Sequence, residues 1–109
     1  MNPETNAVDL TLTLPALDAL TAKVAKVHGP DQPHLLDVRA AFMETAEALN
    51  SLTASPADKK VSAAALQGLE RMRTLTEGFT PPATACRSYR AMLDGLARLD
   101  EAASTQLTA

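Results

Sequence analysis

The stretch HLLDVRAAFMETAEALNSL, residues 34–52, decides the fold. Its apolar residues recur at steps of three and four, which places them on one face of an α-helix. They are Leu35, Val38, Phe42, Ala46, Leu49 and Leu52. Charged residues such as Asp37, Arg39 and Glu47 fall mostly on the other faces. A helix with one apolar face must bury it against a partner, so this segment predicts a bundle helix that begins near Pro33 or His34.

Three further segments repeat the pattern. The first is expected from Thr13 to His28, the third from the turn at residues 55–58 to about Gly78, and the fourth from Thr80 to about Gln106. The apolar positions of the first are Leu17, Leu20, Val24 and Val27. Those of the third are Val61, Ala65, Leu69, Met72 and Leu75, and those of the fourth are Tyr89, Leu93, Leu96, Ala103 and Leu107. Four amphipathic helices joined by short connections predict an all-α fold, an up-down four-helix bundle with crossing angles of about 20°.

Turn residues set the predicted boundaries. Gly29 and Pro30 end the first helix, because glycine accepts the left-handed conformation and proline cannot continue the ladder. Ser55 before Pro56, and Thr80 before two prolines, are typical of helix N-caps. Residues 1–12 lack a sustained pattern, so we expect a loose N-terminal arm and a single bundle domain over residues 13–109.

Composition excludes several classes of protein. Hydrophobic residues make up 46% of the chain but aromatics only 3%, so helix formers such as Ala and Leu dominate the core. The net charge of -3 and the lack of a basic cluster argue against nucleic-acid binding. No apolar run is long enough for a membrane span, and the single Cys86 fits a reducing compartment. We therefore expect a cytoplasmic protein that binds neither nucleic acid nor membrane.

Two distant segments carry a family resemblance. Residues 14–29, LPALDALTAKVAKVHG, and residues 75–101, LTEGFTPPATACRSYRAMLDGLARLDE, together resemble the hemerythrin-like domain of the iron-sulfur cluster repair di-iron proteins. The specificity lies in the combination of Leu14-Pro15, the helix end at residues 23–29, Thr80-Pro81-Pro82 with Cys86, and the run of residues 89–92. The resemblance implies a hemerythrin-like four-helix bundle. In that family, His residues and bridging carboxylates hold two iron ions that respond to nitric oxide and oxidative damage.

The metal ligands that the resemblance implies are mostly replaced in this chain. Only His28 matches a ligand position of the family. The other matching positions hold Ala7, Leu52, Pro56, Ser62 and Gln106, and the last carboxylate would lie beyond Ala109. Leucine and alanine cannot coordinate iron, which needs several nitrogen and oxygen donors from different helices. We therefore expect no metal and no cofactor, with iron as the alternative.

Two residual groups of side chains could still carry chemistry. His28, Asp31 and His34 are the residual candidates for a metal site, since two imidazoles and a carboxylate suit a transition metal. A helix-end histidine and a solvated turn are the simpler interpretation of the same residues. Cys86 could be a reactive thiol at a helix N-terminus, or a packing residue at the start of the fourth helix.

Three functional hypotheses remain open from the sequence. The first is a metal-free, non-enzymatic interaction or regulatory module, linked to iron or nitrosative stress, that forms a homo-oligomer or binds a related metal-containing protein. Its expected partner surface is on the second and third helices, where Ala63, Ala64, Ala65 and Gly68 permit close packing. The second is a residual metal-binding or nitric-oxide-responsive protein, with Asp100, Glu101 and Gln106 as further ligands. The third is a degenerate chain that keeps only its fold.

Overall fold

The computed structural model describes residues 3–108, and the side chains of residues 13–108. Over this range the chain forms four helices: α1, Pro3–His28; α2, His34–Ala54; α3, Lys59–Leu75; and α4, Arg87–Thr108. These described residues contain no β-strand, which confirms the all-α prediction. None of the helices described is both long enough and apolar enough to cross a bilayer.

The helices pack in a ring around one main core. Helix α1 contacts α2 and α4, and α3 contacts the same two helices, an arrangement compatible with a four-helix bundle. The largest fully buried side chains include Phe42, Leu17, Leu35, Leu69, Met72, Met92, Leu96 and Leu99. Every helix therefore contributes apolar side chains to this core. Arg73 of α3 also donates two hydrogen bonds to Asp100 of α4, at 3.1 and 2.6 Å.

Helix α1 ends at His28 as predicted but begins earlier than expected. It begins at Pro3, whereas a loose arm was expected for residues 1–12; Met1 and Asn2 lie outside the described residues. Pro15 was taken as a start residue, but it lies inside the helix. The spacing of Leu14 and Leu17 continues upstream through Leu10 and Ala7, which explains the longer helix.

One residue predicted to lie in the core on α1 is exposed instead. Val27 was predicted to be buried, but its side chain is 59% exposed. Buried Leu14, Leu17, Thr21 and Val24 continue at 3.6 residues per turn to position 28 rather than to position 27. His28 therefore ends the inward face of α1 at the end of the bundle.

The start of α3 is capped by a different residue from the one predicted. Asp58, not Ser55, is the N-cap, and its carboxylate accepts hydrogen bonds from the amides of Lys60 and Val61 at 3.0 and 3.1 Å. An aspartate combines a hydrogen-bond acceptor with a negative charge at the positive end of the helix. Ser55 instead follows α2, where its amide donates to the carbonyl of Ser51.

The connection between α3 and α4 is longer than predicted. Helix α3 ends at Leu75 rather than Gly78, and α4 begins at Arg87 rather than Thr80. Glu77, Gly78 and Phe79 have φ values of 52°, 73° and 62°, a left-handed run that no α-helix can contain. Thr80 does not cap a helix, because its hydroxyl donates to the carbonyl of Glu77 at 2.8 Å. The long connection leaves Cys86 immediately before α4.

Helices α2 and α3 approach closely at one glycine. A Cβ atom on buried Gly68 would overlap the hydroxyl of Thr45, which itself donates to the carbonyl of Ala41 at 2.7 Å. Ala65, one turn earlier in α3, is fully buried. The small residues Ala65 and Gly68 thus hold α3 against α2, whereas Ala63 and Ala64 are exposed. Part of the surface expected to bind a partner is therefore used inside the bundle.

The Gly68→Ala variant should lower the free energy of unfolding by about 1–3 kcal/mol, because a methyl group has no space beside Thr45. Urea unfolding measures the change, with Gln67→Ala as the neighbouring control that should shift stability by less than about 0.5 kcal/mol. Adding Thr45→Ala removes the colliding hydroxyl, so the double variant should lose less than the sum of the single losses. Strict additivity would show that the two positions do not collide.

Candidate functional site: Cys86, His28 and Tyr89

Three separate parts of the chain meet beside the start of α4. They are the last residue of α1, His28; the α1–α2 turn with Gln32; and the residues Cys86 and Tyr89. His28 and Cys86 are 58 positions apart in sequence, yet Sγ of Cys86 lies 3.2 Å from Nε2 of His28. The fold therefore pairs the only thiol of the chain with an imidazole.

Cys86 occupies the cap position of α4. It immediately precedes Arg87, and its carbonyl accepts the amide hydrogen bond of Arg90 at 3.0 Å, the first bond of the helix. The side chain is exposed, while His28 is half-buried. A sulfur at this position faces backbone N–H groups that have no partner within the helix. The thiol is thus accessible to a reagent and lies where a negative charge is favoured.

The surroundings of Cys86 favour its thiolate. The backbone N–H of Tyr89, in the first turn of α4, is the main cause that lowers the pKa of Cys86, and the hydrogen bond with His28 acts in the same direction. Slight desolvation opposes both. In the thiolate form, the Nε2–H of His28 donates to Sγ. A lowered pKa, exposure and a neighbouring imidazole are the properties of reactive cysteines.

Tyr89 holds the imidazole in place. Its side chain is only 3% exposed, and its ring centroid lies 5.7 Å from that of His28. The hydroxyl donates to Oε1 of Gln32 at 3.2 Å and lies 3.5 Å from Nε2 of His34. Burial raises the pKa of Tyr89, so the hydroxyl stays protonated as a donor. Tyr89 therefore connects the start of α4 to the α1–α2 turn.

The residual metal candidates do not assemble into a site. His28 contacts Cys86 and Tyr89, His34 approaches the hydroxyl of Tyr89, and Asp31 is exposed in the turn. Among the side chains of residues 13–108, no three His, Cys, Asp or Glu groups converge on a common point. Asp100 is bound by Arg73 instead, while Glu101 and Gln106 are exposed.

The positions that match iron ligands in the resemblance also do not fit a di-iron centre. Leu52 is buried beside Ala48 and Ala65, so an apolar contact occupies that part of the interior. Pro56 and Gln106 are exposed, and Ser62 is partly exposed. The side chain of Ala7 lies outside the described residues. These residues offer neither the charge nor the convergent donors that two iron ions require.

A second surface lies on α1 and α2. Leu36 and Met43, seven residues apart on α2, are 56% and 52% exposed. Beside Met43 a groove of about 790 Å³ runs between the two helices. It is lined by Leu14, Pro15, Asp18, Phe42, Met43, Ala46, Glu47, Asn50 and Ser51. We call Leu36, Met43 and this groove the α1–α2 face.

Comparison of the chain with models of known protein families gives no match, and comparisons with curated proteins and with solved structures give none either. Any function proposed for this chain therefore rests on the geometry of the site and of the α1–α2 face. The resemblance described from the sequence stays a hypothesis.

We expect the pH midpoint of Cys86 alkylation in the folded protein to lie below that of the urea-unfolded chain. The folded state stabilises the thiolate, so alkylation by iodoacetamide should begin at lower pH than for an ordinary cysteine. The His28→Ala variant should raise the midpoint only in part, because the Tyr89 amide still caps the sulfur. A folded midpoint at or above the unfolded one would contradict the assignment.

Proposed function

We propose that this protein is a metal-free, non-enzymatic module with a hemerythrin-like bundle, which acts through protein interaction rather than catalysis. It self-associates through the α1–α2 face. The observation that carries the proposal is the pair of half-exposed apolar side chains, Leu36 and Met43, beside an open groove. A link to iron or nitrosative stress follows from the resemblance and belongs to the same proposal.

The interior supports the metal-free part of the proposal. Within residues 13–108, the buried polar side chains are three threonines, Thr21, Thr45 and Thr76. Each donates a hydrogen bond to a backbone carbonyl of its own helix or helix end. A buried imidazole or carboxylate would need a metal or another partner to offset its desolvation. An interior filled by leucine, alanine and satisfied threonines is stable without one.

The chemistry of the α1–α2 face suits a protein partner. Met43 and Ala46 give it apolar surface above the buried side chains of Leu14 and Phe42, while Asp18, Glu47, Asn50 and Ser51 contribute polar groups. An apolar centre with polar groups around it is the usual composition of a protein–protein interface. Methionine adds an unbranched side chain that adapts to an irregular opposing surface.

A second copy of the chain matches this face. If two α2 helices pair antiparallel with Met43 at the twofold axis, residues equally distant from Met43 lie opposite each other. Arg39 and Glu47 are each four residues from Met43, so the Arg39 guanidinium, which also donates to Asp18 and Thr21 of α1, faces the partner's glutamate. Leu36 then lies opposite Asn50, and Ala40 opposite Ala46. The face therefore matches itself in charge at Arg39 and Glu47, and in apolar contact at Met43 and between Ala40 and Ala46.

The wild-type protein should dimerise at micromolar to millimolar concentration, and Met43→Glu should make it monomeric. The new carboxylates would meet each other at the axis and also the acidic Glu47 side chains. Light scattering and sedimentation over a concentration series measure the mass. Purified from iron-replete cells, the same sample should contain no stoichiometric iron by elemental mass spectrometry.

Ala63→Glu is the matched control, because Ala63 is exposed on α3, on the surface first expected from the sequence to bind a partner. This variant should dimerise like the wild type. A wild type that stays monomeric throughout the series would overturn self-association. A dimer that dissociates with Ala63→Glu but not with Met43→Glu would show that the interface lies on α3.

The Cys86–His28 pair favours a second candidate function, a thiol that responds to nitrosative stress. The reaction is transfer from a small S-nitrosothiol. The Cys86 thiolate attacks the nitroso nitrogen, a new S–N bond forms on Cys86, and the donor's thiolate leaves with the electron pair of the broken S–N bond. No external oxidant or reductant is needed. The lowered pKa of Cys86 supplies the thiolate that attacks.

With S-nitrosoglutathione as the donor, the wild-type protein should acquire one nitroso group per chain near neutral pH. His28→Ala should react more slowly, because it loses one of the groups that stabilise the thiolate. Cys86→Ser should not react, since the chain has no other cysteine. Mass spectrometry of the intact protein measures the product. Equal rates for the wild type and His28→Ala would show that the imidazole does not assist the reaction.

A further inference from the structure

Arg39 of α2 is anchored to α1 through one of its terminal nitrogens. Its Nη1 donates to the backbone carbonyl of Asp18 at 2.9 Å, to Oδ1 of Asp18 at 2.6 Å, and to the hydroxyl of Thr21 at 2.8 Å. Thr21 is only 1% exposed, and its hydroxyl in turn donates to the carbonyl of Asp18 at 3.2 Å. The guanidinium is therefore held by acceptors of a neighbouring helix, one of them buried.

The anchor uses only one end of the guanidinium. Arginine carries five N–H donors on three nitrogens, and all the hydrogen bonds of Arg39 to residues 13–108 come from Nη1. The side chain remains 22% exposed, so it is not enclosed by the fold. The edge formed by Nε and Nη2 matches the two oxygens of a carboxylate, which it binds through parallel hydrogen bonds. Arg39 can thus bind a second carboxylate without releasing Asp18.

The chain presents a suitable carboxylate on the same surface. Glu47 is exposed and lines the groove of the α1–α2 face, as does Asp18, to which Arg39 is anchored. Arg39 and Glu47 are eight residues apart on α2, which separates them by about 12 Å along the helix axis. The two side chains are therefore too far apart to form a close pair within one chain. They can pair between two chains.

We infer that Arg39 is the residue that determines the specificity of self-association, because its Nε–Nη2 edge binds the carboxylate of Glu47 of the partner subunit. The inference rests on the self-association proposed above and names the contact that selects a second copy and fixes its register. Nη1 stays bound to Asp18 and Thr21. Since folding has already ordered the arginine, pairing costs less side-chain entropy than it would for a freely moving one.

The same pair decides the direction in which two α2 helices associate. Apolar contact at Met43 alone fits a parallel as well as an antiparallel arrangement. A parallel arrangement would place Arg39 beside Arg39 of the partner subunit, and Glu47 beside Glu47 of the partner subunit. Like charges repel across an interface, whereas the antiparallel arrangement forms two symmetric pairs of opposite charge. Arg39 and Glu47 therefore favour one arrangement and also disfavour the other.

A charge exchange tests the contact. In Glu47→Arg, an arginine faces Arg39 of the partner subunit twice, so the dissociation constant of the dimer should rise roughly 10- to 100-fold. Arg39→Glu combined with Asp18→Asn should weaken the dimer by a similar factor, and the asparagine avoids a carboxylate pair within the chain. When the two variants are mixed, both contacts regain opposite charges. Sedimentation measures the dissociation constants, and native mass spectrometry identifies the heterodimer by its mass.

Glu44→Arg is the matched control. Glu44 is exposed on α2 and changes the net charge by the same amount, but it lies about 100° around the helix from Met43. This variant should dimerise like the wild type. Arg39→Lys keeps the positive charge but lacks the second edge, so the dissociation constant should rise roughly 3- to 10-fold. It decides the test if the variant with Asp18→Asn does not fold, which circular dichroism shows.

The outcomes separate this inference from the self-association on which it rests. A wild type that stays monomeric overturns both. If Met43→Glu is monomeric but Glu47→Arg and Arg39→Lys dimerise like the wild type, the interface stands and the role of Arg39 is overturned. A mixture of two folded variants that forms no heterodimer also overturns it. Equal weakening by Glu44→Arg and Glu47→Arg would show an effect of overall charge and would overturn the specific pair.

Discussion

The close approach of α2 and α3 at Gly68 is the constraint on which the rest of the bundle depends. A chain with 3% aromatic residues has few large side chains to fill the space between distant helices. Its helices must therefore approach one another, and residues without large side chains must lie at the crossings. Gly68 fills this role against Thr45, and Gly95 against Leu17, where an added Cβ would come within 2.6 Å of Cδ2. The same small residues are then unavailable to a partner.

The core followed from the sequence because burial depends on helical spacing, a local property of the chain. Leu35, Val38, Phe42 and Leu52 lie on the buried face of α2, as their spacing predicts. Helix boundaries were less predictable, because one residue type can occupy several positions in or near a helix. Pro15 was expected in a first turn but lies within α1, and Thr80 was expected at an N-cap but lies in a loop. Proline and threonine favour such positions without requiring them.

The candidate site was only partly predictable, for a different reason. The sequence suggested a reactive Cys86 near a helix N-terminus and placed His28 at a helix end, but treated them separately. Their contact depends on where α4 begins relative to α1. Helix α3 ends before the left-handed run at Glu77, Gly78 and Phe79, and α4 does not begin until Arg87. Had α4 begun at Thr80, position 86 would lie two turns inside a helix, with its amides already paired.

The exposed thiol and the α1–α2 face share the turn between α1 and α2. Leu36, at one end of that face, lies against Gly29, and the side chain of the preceding residue, His28, contacts Cys86. The sulfur of Cys86 lies at the first turn of α4 and contacts His28, the last residue of α1. The chain from His28 to Leu36 connects the thiol contact to that face through the backbone hydrogen bonds of the turn.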